Sequence, residues 1–71
     1  MKKKIYFTDI IRRLEVYIHE PVGRKGFKTL LYGWRMKNGF SVHHFDGRDY
    51  MTEMEIQSFS RYAGYDLSRE P

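Results

Sequence analysis

Leu30-Leu31-Tyr32-Gly33-Trp34-Arg35-Met36-Lys37-Asn38-Gly39-Phe40-Ser41-Val42-His43-His44-Phe45 holds two aromatic, alternating runs on either side of Lys37-Asn38-Gly39, and its reading decides the architecture. Asn-Gly tolerates the positive φ of a tight turn, and both flanks alternate in character, so the stretch predicts a β-hairpin. A two-residue turn would set Lys37 against Phe40 and Arg35 against Val42, mixing charges with apolar groups. A three-residue loop with Gly39 as a left-handed bulge instead pairs Met36 with Phe40, Trp34 with Val42 and Tyr32 with His44, gathering the apolar groups on one face. The other face then carries Leu31, Gly33 and Arg35 against Ser41, His43 and Phe45, a mixed surface suited to solvent or a partner.

Beyond the hairpin, Asp46 to Tyr50 reads as a loop leading to a well-marked helix start. Thr52 and Glu55 form the S/T-x-x-E capping box, and Met51 is placed to pack on Ile56 as a hydrophobic staple. Ile56, Phe59, Tyr62 and Ala63 make one apolar stripe and Gly64 suits a left-handed C-cap, which predicts a helix from about Glu53 to Ala63. Tyr65-Asp66-Leu67 is expected to fold back on the core, and residues 68–71 to fray. Upstream, Thr8 is a candidate N-cap, and Ile10, Ile11, Leu14, Tyr17 and Ile18 recur at helical spacing, predicting a helix from about Asp9 to His19 that ends before Pro21. A strand over Arg13 to Glu20 competes, but its alternation covers only half the segment. Met1 to Phe7 offers a short extra strand.

Together these elements predict a single small α+β domain over residues 1–71: an N-terminal helix, an antiparallel hairpin widened to three strands by the N-terminal segment, and a C-terminal helix packed on one sheet face. A chain of 71 residues buries only about 60% of its surface, so the core depends on large side chains, and 12 aromatics provide them. Cysteine is absent, which removes disulfides and thiolate metal sites and points to an intracellular chain. No apolar run approaches the roughly 18 residues of a membrane span, and Lys2-Lys3-Lys4 leads into polar Thr8-Asp9 rather than a signal-peptide core. A cytoplasmic location with no membrane partner is the expectation.

Charge is uneven. Residues 1–28 hold eight Lys/Arg against three acids, and residues 29–71 hold five against six, so the whole net charge of +4 comes from the first part. Such a basic sector suits an acidic partner.

Catalytic signals are weak. His43 and His44 are neighbours in a predicted strand and point to opposite faces, leaving too few ligands for a metal. No serine lies in a glycine-flanked elbow, and Asp46, Asp49, Glu53 and Glu55 are accounted for by helix capping and dipole effects. A non-enzyme without cofactor follows. Gly23-Arg24-Lys25-Gly26 lacks the spacing of a phosphate-binding P-loop. It resembles the GxxG loop of KH domains, in which two glycines bracket basic residues and clamp a nucleic-acid backbone. The likeness spans Pro21 to Gly26 with Leu30 and Leu31 beyond, and implies a helix after the loop, where Trp34, Met36 and Asn38-Gly39 argue for a strand.

The leading functional expectation is therefore nucleic-acid binding, mainly at phosphate, through Arg24, Lys25 and Lys28 on a glycine-bracketed loop, helped by Lys3, Lys4, Arg12, Arg13 and Arg35. The alternative is a protein-interaction module or inhibitor that docks on an acidic protein through Leu31, Arg35, His43 and Phe45. An edge strand also offers a second copy a place to pair as a homodimer.

Overall fold

Residues Arg24–Asn38 are helical, and this departure from the predicted hairpin rearranges the fold. The computed structural model describes residues 3–41 and 43–70, in the order β1 (Ile5–Tyr6), α1 (Phe7–Ile18), α2 (Arg24–Asn38), β2 (His43–Phe45), β3 (Arg48–Met51) and α3 (Glu53–Ala63). The α+β class holds, with a three-stranded antiparallel sheet in the order β1-β3-β2. β1 and β2 fall within segments expected as strands, whereas β3 forms from residues read as a loop.

Asn38-Gly39 does terminate an element, but by a different mechanism. Gly39 has φ 73° and its N–H donates to the Arg35 carbonyl at 2.7 Å, a left-handed helix C-cap rather than a hairpin bulge. The pairings of Met36 with Phe40 and Tyr32 with His44 do not form; that of Trp34 with Val42 falls on a residue outside those described. Phe27, Leu31 and Trp34 recur at helical spacing and all three are buried, so core packing overrides the strand preference of the local aromatics. Trp34 stacks on Phe40 with centroids 5.0 Å apart, meets Phe59 edge-on at 5.5 Å, and donates from Nε1 to Ser58 Oγ at 3.0 Å. Gly33 lies where the Tyr62 hydroxyl of α3 crosses α2, and a Cβ there would collide with it.

The hairpin forms one step later in the chain. His43 pairs with Tyr50 and Phe45 with Arg48 across Asp46 (φ 53°) and Gly47 (φ 73°), the two consecutive positive φ values of a type I′ turn. β1 joins the other side of β3, with Ile5 opposite Met51; both are buried, so these residues mark the helix-covered face, and Trp34 reaches the core from α2 instead.

The two outer helices follow the sequence more closely. α1 starts at Phe7 without a side-chain cap, so Thr8 sits inside it, and it ends at Ile18 with His19 left-handed. Ile10 and Leu14 face the core as expected. In α3 the Glu55 N–H donates to Thr52 Oγ1 at 3.4 Å, the Thr52 N–H donates to Glu55 Oε1 at 2.8 Å, and Gly64 closes the helix at φ 87°. Leu67 returns to the core, its N–H on Ser60 Oγ at 2.9 Å. Beyond it Glu70 Oε1 lies 2.7 Å from Arg12 Nη2; Pro71, the last residue of the segment expected to fray, is outside the described residues. No helix among the described residues is long and apolar enough to cross a membrane.

Candidate nucleic-acid interface

Once α2 is a helix, Arg24, Lys28, Leu31 and Arg35 follow one another at spacings of four, three and four residues and share one helix face. Opposite that face lie the start of α1, with Tyr6, Phe7, Thr8 and Ile11, and the hairpin turn, with Gly47, Arg48 and Asp49. Between them runs a groove of about 390 Å³ that Tyr32 also lines. Arg24, Lys28, Arg35 and Arg48 bring four positive charges to it and Asp49 one negative charge. None of the four cations is in an ion pair among the described residues. Asp49 is engaged by His44 Nδ1 at 2.6 Å.

Two of the cations, Arg35 and Arg48, are held by contacts that leave their charge available. Arg35 Nε donates to the Phe40 carbonyl at 3.1 Å, which ties the side chain to the C-terminal end of α2 without neutralising it. The Arg48 guanidinium lies 4.3 Å from the centre of the Tyr6 ring, a cation–π contact. α2 itself begins unusually: no acidic residue stands in its first turn and Gly23 offers no side-chain cap. Arg24 and Lys25 therefore face the positive end of the helix dipole, an arrangement an anion would relieve.

Other expected contact residues are distributed differently. Lys25 is exposed on the first turn of α2, outside the groove lining, and the segment around it is the start of a helix rather than a free loop. Lys3 is exposed near β1. Lys4 reaches the outer sheet face, its Nζ 4.7 Å from the Phe45 ring centre and 5.8 Å from that of Tyr50. Arg12 is exposed but ion-paired, whereas Arg13 is buried. Arg12 pairs with Asp9 and Glu70, while Arg13, only 9% exposed, donates from Nη1 to the Leu67 carbonyl at 2.9 Å. Of the alternative interface, Leu31, largely buried, and Arg35 both line the groove, while His43 and Phe45 stand on the sheet.

The adjacent histidines do separate as strand geometry requires. His43 Nε2 meets Glu55 Oε2 at 2.8 Å, whereas His44 turns to Asp49. No group of three potential metal ligands converges among the described residues. Sequence reasoning missed Tyr32 and Arg48 as groove residues. Asp46-Gly47 flanked by His43–Phe45 and Arg48–Met51 was a usable hairpin signal and would have put Arg48 beside the turn.

The chain matches none of the family models, curated proteins or solved structures compared with it.

Proposed function

We propose that this protein is a small, non-enzymatic nucleic-acid-binding protein that takes a phosphate backbone into the groove between α2 and the β2–β3 turn. The observation that carries this reading is the convergence of Arg24, Lys28, Arg35 and Arg48, unpaired among the described residues, on one groove containing a single carboxylate. From Arg24 to Arg35 the helix rises about 16 Å, the axial span of roughly five base pairs, so several successive phosphates fall within reach. The GxxG resemblance adds nothing to this reading, because Arg24-Lys25-Gly26 form the first turn of α2 rather than a loop before it. Tyr6, Phe7 and Tyr32 give the same groove ring surfaces beside the charges.

The test is a binding titration across ionic strength. With four phosphates neutralised, log K should fall with log salt at a slope of about −3, so a fourfold rise in salt weakens binding roughly 60-fold. The double variant Arg24→Glu/Lys28→Glu should lose on the order of 100-fold in affinity at low salt while remaining folded, because glutamate at a helix N-terminus improves the dipole interaction. Salt-independent binding, or full binding by the folded double variant, would remove the reading.

A second reading rests on Tyr32 and Met36, 65% and 71% exposed and one turn apart on α2 beside Arg35. An acidic protein with an apolar spot would suit that strip. Met36→Glu separates the two readings, since it should abolish protein docking and weaken nucleic-acid binding only slightly.

A further inference from the structure

The sheet has a second surface, which meets the groove at Tyr6 and Arg48. The register sets Tyr6 opposite Tyr50, Tyr50 opposite His43, and Phe45 opposite Arg48, so these five side chains share one face, while Ile5 and Met51 share the helix-covered one. Their rings form a connected group: His43 stacks on Tyr50 at 5.3 Å and 22°, and Tyr6 meets Tyr50 edge-on at 6.1 Å. Phe45 is 53% exposed at the edge. Two cations rest on the rings, Lys4 on Phe45 and Tyr50, and Arg48 on Tyr6.

We propose that this outer sheet face is a stacking platform for unpaired bases, so that the ligand of the groove is a single strand rather than a duplex. The inference rests on the nucleic-acid reading of the groove and specifies its substrate class. Charge complementarity selects the occupant: a ligand must bring anions for Lys4 and Arg48 and planar rings for Phe45 and Tyr50, and a single strand presents both in alternation. Cation–π contacts at exposed sites are weaker than base–aromatic stacking, so a base displaces the ammonium and guanidinium groups from the ring faces. The freed cations then reach the neighbouring phosphates. In a duplex the base faces are already stacked on one another and the platform gains nothing. Tyr6 and Arg48 belong to both surfaces, which gives one strand a continuous path from groove to sheet.

The test measures affinity for an oligothymidylate, an oligouridylate and a mixed-sequence duplex of equal length, at one low salt concentration, for the wild type, Phe45→Leu and Phe45→Trp. Phe45 is outside the buried core, so each variant should keep the wild-type melting curve. The strands should bind about tenfold more tightly than the duplex, Phe45→Leu should lose that advantage, and Phe45→Trp should keep it. A merely structural or apolar role for Phe45 would not separate leucine from tryptophan. The two oligonucleotides distinguish a DNA from an RNA ligand, and a preference for either supports the platform. Equal affinity for strand and duplex, or no difference between Phe45→Leu and wild type, overturns the inference; if binding is still lost in Arg24→Glu/Lys28→Glu, the groove reading survives. Displacement of the strand by polyglutamate at matched charge would overturn it in favour of an acidic protein partner. Failure of the wild type to bind any of the three nucleic acids removes groove and platform together.

Discussion

Two arginine-bearing helices have opposite electrostatic surroundings. On α1, Arg12 and Arg13 are taken up by Glu70 and the Leu67 carbonyl of the C-terminal segment, with Asp9 of the same helix also pairing Arg12. Facing the groove, Arg24, Lys28, Arg35 and Arg48 have no acidic partner among the described residues. Charge of the same sign thus does two jobs. The first set fastens a tail to the domain, and the second leaves a field that a polyanion would neutralise. Position in the fold, not local density of Lys and Arg, separates them.

The largest expected break in this contrast is at Arg13. Replacing it with methionine preserves much of the buried stem but leaves the Leu67 carbonyl without its donor, a loss of about 1 to 3 kcal/mol. Arg13 Nε has no hydrogen-bond partner of its own, so its removal offsets part of that loss and the net effect belongs near the lower end. For a domain this small, about 1.5 kcal/mol lowers the melting midpoint by roughly 6 to 12 °C. Nucleic-acid affinity of the folded variant should not change. A folded Arg13→Met protein that binds several-fold more weakly would return Arg13 to the interface.

A smaller effect sharpens the contrast from the binding side. Arg24→Gln and Arg48→Gln should each make the log K against log salt slope shallower by about 0.7 to 0.9, the contribution of one released counterion. Arg12→Gln should leave the slope unchanged and, since its pair with Glu70 is exposed, cost no more than about 1 kcal/mol of stability. Equal slope changes for Arg12 and Arg24 would show that pairing with Glu70 does not withhold Arg12 from a ligand.

What could be read from residues alone follows from how many independent local signals agreed. α3 carried a capping box, an apolar stripe and a C-cap glycine, all consistent with one helix, and it is where they placed it. α2 carried signals that conflict. Tyr32, Trp34 and Met36 alternate as in a strand, while Phe27, Leu31 and Trp34 repeat as in a helix, and Asn38-Gly39 serves a hairpin turn or a C-cap equally well. The tertiary core decided between them, because only the helix buries Phe27, Leu31 and Trp34 together. Arg24, Lys28 and Arg35 were visible as cations, but their shared face required the helix. Their meeting with Arg48 and Tyr6 required the hairpin to fold back beside α2, a long-range placement that no local spacing encodes.

The smallest expected effect concerns the tail that occupies Arg12 and Arg13. Asp66 Oδ1 accepts the Ser68 hydroxyl at 2.6 Å and the Ser68 N–H at 3.2 Å, and its backbone carbonyl accepts the Tyr17 hydroxyl at 2.9 Å. The Ser68 hydroxyl, then its N–H, with a smaller contribution from the Arg69 charge, hold the Asp66 carboxyl below its ordinary value despite slight opposition from desolvation. A carboxyl depressed by folding contributes stability that is fully present above its unfolded pKa of about 3.9 and is lost as pH falls through the folded value. Acidification should therefore loosen the turn over Asp66 to Ser68, and with it the stacking of Tyr17 on Tyr65, without involving the groove cations. A carboxyl-detected NMR titration should give a midpoint below about 3.9 for Asp66, and Ser68→Ala should return it toward that ordinary value. A wild-type midpoint at or above the ordinary value would mean that Ser68 does not secure the turn, and the tail's hold on the domain would then rest on Leu67, Glu70 and their two arginines alone.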